Sequence, residues 1–388
     1  MGLMDIIEEL ALNETMTLAL IVIGVAVLIT IILLMSYFNI LVTIASFSYP
    51  NARLRAMGNP YIRRQKLLEL MEMSSPNEVA QEISKEGYKL PTNIEKVGVD
   101  EAERQLEIAH VDSLKKVLAS DPQSIRPFLE AYLLKYDIAQ VKKAIRAKQN
   151  GMSNEELKKR LVPVKEIDDD IISSIIDATT VDEVCNTVRG KKFGETLVRA
   201  SSEHKGDIVA LDLALDQFFS KELRLAITRV DTTVSETVTM FVGKYADITN
   251  IKHIIRSKHQ GLDLAMTERF LVEGGRLLAP WKLRSMIEVK GIQELAPELE
   301  GTPYMEIIRD AMQKFSETKS IYALEAAFDQ LLLQISQEIA SSSLIAAGPT
   351  IKFIVAKEFE IRNLKAVLRG LYEYLPPEKI MAMLIMED

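Results

Sequence analysis

One phrase of thirteen residues occurs three times in this chain of 388 residues, and its spacing constrains the architecture more than any other feature. The copies read YDIAQVKKAIRAK from Tyr136, ADITNIKHIIRSK from Ala246 and FEIRNLKAVLRGL from Phe359. Aligned on Arg146, Arg256 and Arg369, they share an acid (Asp137, Asp247, Glu360) followed by Ile138, Ile248 and Ile361. Next come a carboxamide (Gln140, Asn250, Asn363), an aliphatic (Val141, Ile251, Leu364), a lysine (Lys142, Lys252, Lys365) and the arginine. The copies lie 110 and 113 residues apart, the period of a domain-sized module rather than of a short solenoid unit.

A fainter phrase repeats in the same order. SPNEVAQEISKEGY carries Glu78-Val79-Ala80, TVDEVCNTVRGKKF carries Glu183-Val184-Cys185, and GIQELAPELEGTPY carries Glu294-Leu295-Ala296. Each stands some 60 residues before the next copy of the first phrase. Two phrases in one order, three times over, predict three similar modules at 49–160, 161–275 and 276–388. Pro163 and the pair Gly274-Gly275 fall near the joints, as linker residues do.

The modules read as helical. Aromatic residues are few and helix formers abundant, with apolar residues at helical spacing in Leu67, Leu68, Leu70 and Met71 and in Ile171, Ile172, Ile175 and Ile176. No run alternates with period two, and Asn150-Gly151 suits a helix end better than a hairpin. The net charge of −8 argues against a nucleic-acid surface, which needs concentrated positive charge. Cys185 is the single cysteine, so an internal disulfide and a thiolate metal cluster are both excluded.

The N-terminal region differs. After an acidic segment (1–16), no charged residue occurs from Thr15 to Ala52, and Leu18, Ile23, Val27 and Leu33 belong to a nearly unbroken aliphatic run. About twenty such residues span a hydrocarbon core. An anchor over 17–48 is therefore expected, with Tyr37, Phe38, Phe47 and Tyr49 at its interfacial exit. Asp5, Glu8, Glu9 and Glu14 precede it, whereas Arg53, Arg55, Arg63, Arg64 and Lys66 follow. The positive-inside bias puts the N-terminus outside and the bulk of the chain on the cytoplasmic side of a cell membrane. A cleaved signal peptide would want basic residues before the apolar run, not four acids. Pro50, Gly58 and Pro60 are expected to break the helix and begin the soluble part.

Helical phase assigns faces to the repeated phrase. Ile138, Val141 and Ile145 form one apolar stripe, repeated by Ile248, Ile251 and Ile255 and by Ile361, Leu364 and Leu368. Acid and carboxamide, three apart, share a face, and lysine and arginine, four apart, share another. The acid precedes the arginine by nine residues, half a turn out of phase, so both must bond to neighbouring helices. One reading places the acid in a first helical turn and lets the carboxamide tie a loop, with the Lys/Arg face solvated. The sharper reading has these polar groups lock each module to the next around a pseudo-threefold arrangement.

At these residues the chain resembles the C subunit of archaeal and bacterial A/V-type ATP synthases, the relative of the d subunit of eukaryotic V-ATPases. Members carry D-I-x-N-L-K-x-x-L-R-x-K in triplicate and an early N-A-R-x-R-A-M segment, matched here by Asn51 to Met57. The stretch from Asn363 to Ile380, with Pro376-Pro377, is similar to the family's C-terminus. The resemblance covers about residues 48 to 388. It implies an all-α funnel of three similar domains, seated on a membrane rotor ring and receiving the foot of a central shaft. A protein of this kind transmits torque and catalyses nothing. Departures are Gln140 in place of Asn, Leu371 in place of the last lysine, and the N-terminal transmembrane helix, which the family core generally lacks. That helix is expected to plug the ring's lumen.

Nothing in the sequence supplies a catalytic constellation. There is no G-x-x-x-x-G-K-[ST], G-x-G-x-x-G or G-x-S-x-G. His253 and His259, six apart, cannot converge on a metal, and His110 and His204 read as structural or surface residues. Asp168-Asp169-Asp170 reads as a helix start. Asp212 and Asp216 share a helix face in a segment too polar for a membrane proton path. Trp281 is expected to be a packing anchor, with a contact to another protein of the assembly as the alternative. The expected function is that of a non-catalytic central-stalk subunit without cofactor, nucleic acid or small-molecule substrate, partnered by the shaft, the rotor ring and lipid. The alternatives are a membrane-anchored scaffold for another cytoplasmic complex and, more distantly, a hydrolase or transferase.

Overall fold

The computed structural model describes the chain except residues 1–2, 59–60, 319 and 387–388, and the side chains of residues 3–15 and Thr318 also lie outside the description. Every regular element among the described residues is helical. The chain opens with α1 (Leu3–Ala56). Short helices α2 (Arg64–Met71), α3 (Pro76–Ser84) and α4 (Ile94–Val97) lead to a long hairpin, α5 (Val99–Ser120) and α6 (Arg126–Gln149). The pattern repeats. Short helices α7 (Asn154–Lys158), α8 (Asp169–Asp177), α9 (Val181–Thr187) and α10 (Gly194–His204) precede the hairpin α11 (Ile208–Arg229) and α12 (Thr232–Gln260). In the third round α13 (Leu264–Arg269), α14 (Pro280–Glu288), a 3-10 turn (Ile292–Glu294), α15 (Leu295–Glu298) and α16 (Tyr304–Thr318) precede α17 (Tyr322–Ser342) and α18 (Gly348–Tyr372). The last helix is α19 (Pro377–Met381).

Local chemistry accounts for the boundaries. Asp168 caps α8 by accepting the Ile171 N–H at 3.0 Å, so the three consecutive acids do mark a helix start. Asn150 and the left-handed Gly151 close α6, and Asp231 and Asp263 cap α12 and α13. The glutamate of the fainter phrase reaches back to a backbone N–H four residues earlier each time: Glu78 to Ser74, Glu183 to Thr179 and Glu294 to Lys290. That phrase is a repeated helix-start device.

The six long helices close into a cycle. Within each hairpin α5 packs on α6, α11 on α12 and α17 on α18, and between hairpins α6 packs on α11, α12 on α17 and α18 on α5. The phrase-bearing helices are α6, α12 and α18, and their stripes are buried in full, from Ile138, Val141 and Ile145 through Leu364 and Leu368. Closure brings the two ends of the chain together. Leu67, Ile83, Ile94 and Leu106 share one core with Ile361, Leu364, Leu368 and Ile380. Short helices accordingly pack on the phrase helix of the preceding module: α9 on α6, α13 and α14 on α12, and α2 and α3 on α18.

The helix does not break at Pro50. It runs through that residue to Ala56 and stops where Gly58 takes a left-handed φ of +80°; Pro60 lies outside the described residues. The proline is tolerated because it removes a single N–H from a helix whose last turns are held by packing. Phe47 and Leu54 are buried and Asn51 donates to the Ala346 carbonyl at 3.2 Å, so α1 is clamped to the cycle by its final ten residues. Above that clamp Leu18, Ile23, Val27 and Leu33 stand 52–65% exposed. The apolar part of α1 has mean hydropathy 3.2 and none of it is buried inside the fold. Length and composition suffice to cross a membrane.

Truncating the middle of a stripe tests whether the cycle is one cooperative core. Ile251→Ala, at a fully buried position, is expected to cost about 2–5 kcal/mol in denaturant unfolding of the micelle-borne chain. Val209→Ala, half exposed at the start of α11, is expected to cost under about 0.5 kcal/mol.

Candidate functional site: three joints and a groove

The repeated polar residues occupy the middle of their helices, not the first turn: Asp137 in α6, Asp247 in α12 and Glu360 in α18 are all buried there. Two of the three acids clasp the backbone of a following loop. Asp137 accepts N–H groups of Lys165, Glu166 and Ile167 at 2.9–3.0 Å, and Asp247 accepts those of Arg276, Leu277 and Leu278 at 2.8–3.2 Å. Burial nevertheless pushes both carboxyls above the usual aspartate range, against the opposing pull of those N–H groups. The second clasp needs Gly275. A Cβ there would lie 2.2 Å from Asp247 Oδ1, so only glycine lets the loop come this close.

The carboxamide ties the same loops. Asn250 forms a two-way pair with the Val272 backbone, accepting at 2.8 Å and donating at 2.9 Å. Asn363 does so with Ile385 at 2.9 and 2.6 Å, and also donates to the Tyr61 hydroxyl. Gln140 accepts from Val162 at 3.0 Å. The partner is always 22 residues downstream. Glu360 is bound differently: the Tyr88 hydroxyl and Lys357 donate to it, so a residue from the other end of the chain completes the third clasp.

Tyr88 ends the first copy of the fainter phrase, and Tyr304, which ends the third, donates to Asp247 at 3.0 Å. The second copy ends in Phe193, buried but without a hydroxyl. Asp137, the acid on the helix against which this segment packs, keeps one buried carboxylate oxygen, Oδ2, without a hydrogen-bond partner. The missing group and the orphaned atom correspond under the repeat.

Lysine and arginine form a second, separate set of contacts. They pair antiparallel with two acids four residues apart on the neighbouring hairpin. Lys142 meets Asp216 at 2.6 Å and Arg146 meets Asp212, both on α11. Lys252 meets Asp329 at 2.6 Å and Arg256 meets Glu325, on α17. Lys365 meets Glu107, and Arg369 meets Glu103 at 2.6 Å and Asp100 at 2.5 Å, on α5. These side chains are therefore paired rather than freely solvated. Asp212 and Asp216 are the acceptors for module 1. Sequence reasoning left the other acids out, although Glu103, Asp212 and Glu325 recur at 109 and 113 residues, within one residue of the period of the phrase.

Beside the first two of these joints lies a groove of about 660 Å³, lined from α6, α11, α12, α17 and α18. The Lys/Arg ladders of modules 1 and 2 flank it, with Phe219, Leu332 and Phe359 as apolar wall. Lys135 and Glu358 also line it. Tyr132 and Tyr136 donate to Glu358 at 2.6 and 2.9 Å, while Lys135 pairs with it and lies over the Tyr132, Tyr136 and Tyr245 rings. Burial alone would raise the Glu358 carboxyl, but Lys135 and the Tyr132 hydroxyl together outweigh it and hold the group at about 2. At this point α6, α12 and α18 share one polar cluster, which no sequence motif marks.

The remaining singled-out residues lie elsewhere. His253 bonds the Phe270 carbonyl through Nδ1 at 2.6 Å, and the structure offers no group of three or more His, Cys, Asp or Glu side chains suited to a metal among the described residues. Trp281 is 72% exposed beside Lys282, so it is not a packing anchor. Its Pro280-led helix α14 places it on the outside. Lys148 and Lys258 donate to carbonyls of Ile176 and of Ile287 and Val289, contacts that Leu371 cannot make in the third copy.

The polar side chains of the repeated phrase are committed to joining the helices of this one chain. The chain belongs to the ATP synthase (C/AC39) subunit family, whose model matches residues 50–383. The A-type ATP synthase C subunit of Methanobrevibacter smithii is 31% identical over 376 residues, covering 96% of each chain. That of Methanocaldococcus jannaschii is 30% identical over 352 residues (89% of this chain, 88% of that one), and that of Haloferax volcanii 28% over 345 (87% and 97%). The chain is a subunit of a rotary ATP synthase, engaged in ATP synthesis and ion transport, and not an enzyme in its own right. The Methanobrevibacter match leaves out fewer residues than the 49 before the family match begins, so that likeness extends into the apolar segment.

Phe193→Tyr should supply the absent hydroxyl to Asp137 Oδ2 and raise stability by about 1 kcal/mol, a gain abolished when combined with Asp137→Ala. A loss of stability in the single variant would reject the correspondence. At the α18–α5 joint burial opposes ionisation of Glu107 and Asp100, yet Lys365 and Lys143, and Arg369 and Arg160, hold both acids below their ordinary values. Their contribution is complete above the ordinary glutamate value of 4.5 and is lost as pH falls through the lowered values. Amide protection factors in 99–107 and 360–372, which remove the intrinsic pH dependence of exchange, are therefore expected to fall below about pH 4 and to stay constant between about pH 6 and 8.

Proposed function

We propose that this chain is the central-stalk coupling element of its ATP synthase, joining the shaft to the membrane rotor ring during ion-driven ATP synthesis or hydrolysis. The observation that carries this reading is the cycle of three repeated hairpins, with a groove beside its first two Lys/Arg ladders and an apolar helix clamped to the same cycle. The cycle supports a funnel of three modules over 49–160, 161–275 and 276–388. In this reading the groove takes the foot of the shaft, and Lys142, Arg146, Lys252 and Arg256 at its flank are the contact candidates. Asp137, Gln140, Asp247, Asn250, Glu360 and Asn363 hold module to module. Lys365 and Arg369 close the third joint.

The basic residues after the apolar run favour an N-terminus outside and a funnel in the cytoplasm. The apolar helix then occupies the lumen of the rotor ring and anchors the funnel there, or contacts lipid directly. A scaffold docking another cytoplasmic complex is the competing reading. Pull-down from detergent-solubilised membranes separates the two: coupling requires shaft and rotor-ring proteins at fixed stoichiometry, and other partners would favour the scaffold. Deleting residues 1–48 and washing membranes with low-salt EDTA is expected to release the chain. Undiminished retention would reject the anchoring role of α1.

A further inference from the structure

We propose that a groove beside the base of α1 binds the headgroup of an anionic phospholipid in the leaflet that α1 enters. The proposal rests on the reading of α1 as a membrane span. The groove has a volume of about 780 Å³ and lies between the end of α1 and one face of α17, with the start of α18 at its mouth. Among the described residues Arg55 and Lys352 are the only charged side chains lining it, and no acid does. The Lys/Arg ladders of the three joints are each matched by acids. Arg55 and Lys352, by contrast, have no ion pair among the described residues.

The wall from α17 presents Gln330, Gln334, Gln337 and Ser341 alongside Leu333 and Ala340, and Leu54 and Phe353 are buried beside the cations. Leu344 borders the groove 53% exposed, and its neighbour Ile345 is 56% exposed, both on the turn joining α17 to α18. Asn51 ties this turn to α1 through the Ala346 carbonyl. Two unpaired cations and two exposed aliphatic residues thus stand at the level where the apolar helix leaves the cycle. A phosphate headgroup satisfies the cations, and the adjoining aliphatics enter the acyl boundary. A free phosphate would use the cations but leave Leu344 and Ile345 in water.

The test uses the full chain in zwitterionic micelles, titrated with phosphatidylglycerol or phosphatidylcholine and read by native mass spectrometry. Phosphatidylglycerol is expected to be retained preferentially, and Arg55→Gln with Lys352→Gln to lower that preference about tenfold or more. Lys115→Gln with Lys116→Gln, exposed near the end of α5, is expected to leave it unchanged. Equal retention of the two lipids would overturn the proposal, and so would an equal loss in the Lys115/Lys116 variant, which means diffuse surface charge. Full displacement by millimolar inorganic phosphate, with phosphate itself retained, would assign the groove to a free anion instead. A chain that elutes without a micelle refutes the spanning reading; a micelle-borne chain without lipid preference refutes this proposal alone.

Discussion

Closure of the cycle between α18 and α5 is the constraint on which everything else depends. The first two joints are tethered, since the chain that leaves one phrase helix continues directly into the next module. The third has no such tether. It must bring residues 61–107 to residues 360–385 across the whole chain, and loop closure over that length costs entropy without a compensating local contact. The polar pairing is densest there. Glu107 takes both Lys365 and Lys143, Arg369 meets Asp100 and Glu103, Arg160 also meets Asp100, and Tyr88 crosses over to Glu360. Two apolar stripes could meet in several registers, but this set of charges fits one.

That division of labour runs through all three joints. The buried aliphatic stripes supply most of the free energy, about 1.5–3 kcal/mol for each fully buried side chain. The ladders are partly open to water, with Arg146 and Arg256 about half exposed, so each pair contributes under about 1 kcal/mol. Their value is positional. A slip of one helical turn would break the two-on-two match of Lys252 and Arg256 with Asp329 and Glu325 while leaving apolar contact almost intact. The buried clasps act in the same sense at higher stakes, because an acid such as Asp247 without its loop would be a buried carboxylate with little to accept from.

Much of this was legible in the sequence. The threefold period, the apolar stripes, the helix start at Asp168 and the phase separating acid from arginine were all readable from spacing. What spacing could not give was the offset between repeat and packing. A period identifies equivalent positions, yet it does not say that Tyr304 serves the acid of the module before its own, or that Lys142 looks forward to Asp216. The constant 22-residue step from carboxamide to loop and the 109- and 113-residue recurrence of the acid pairs were present as signals, but become visible only when the partner is known. Pro50 and Trp281 misled for a common reason. Propensity and hydrophobicity describe a residue in isolation, whereas clamping by Phe47 and Leu54 keeps the helix going and the position of α14 leaves the indole outside.

The continuity of α1 has a mechanical consequence. A passive tether would have a flexible segment between membrane and soluble part. Here the helix passes without interruption from the exposed aliphatic run into the clamp, where its end engages α5, α12 and α18 through Phe47, Asn51 and Leu54. The first left-handed residue comes only at Gly58, after the clamp. Any rotation of the cycle about the α1 axis therefore has to carry the apolar helix with it, since no hinge precedes the contact. The three hairpins lock to one another through register-specific pairs, and α1 is locked to them through packing. A load applied within the groove would reach the apolar helix through stiff elements throughout, with the side-chain joints as the compliant parts.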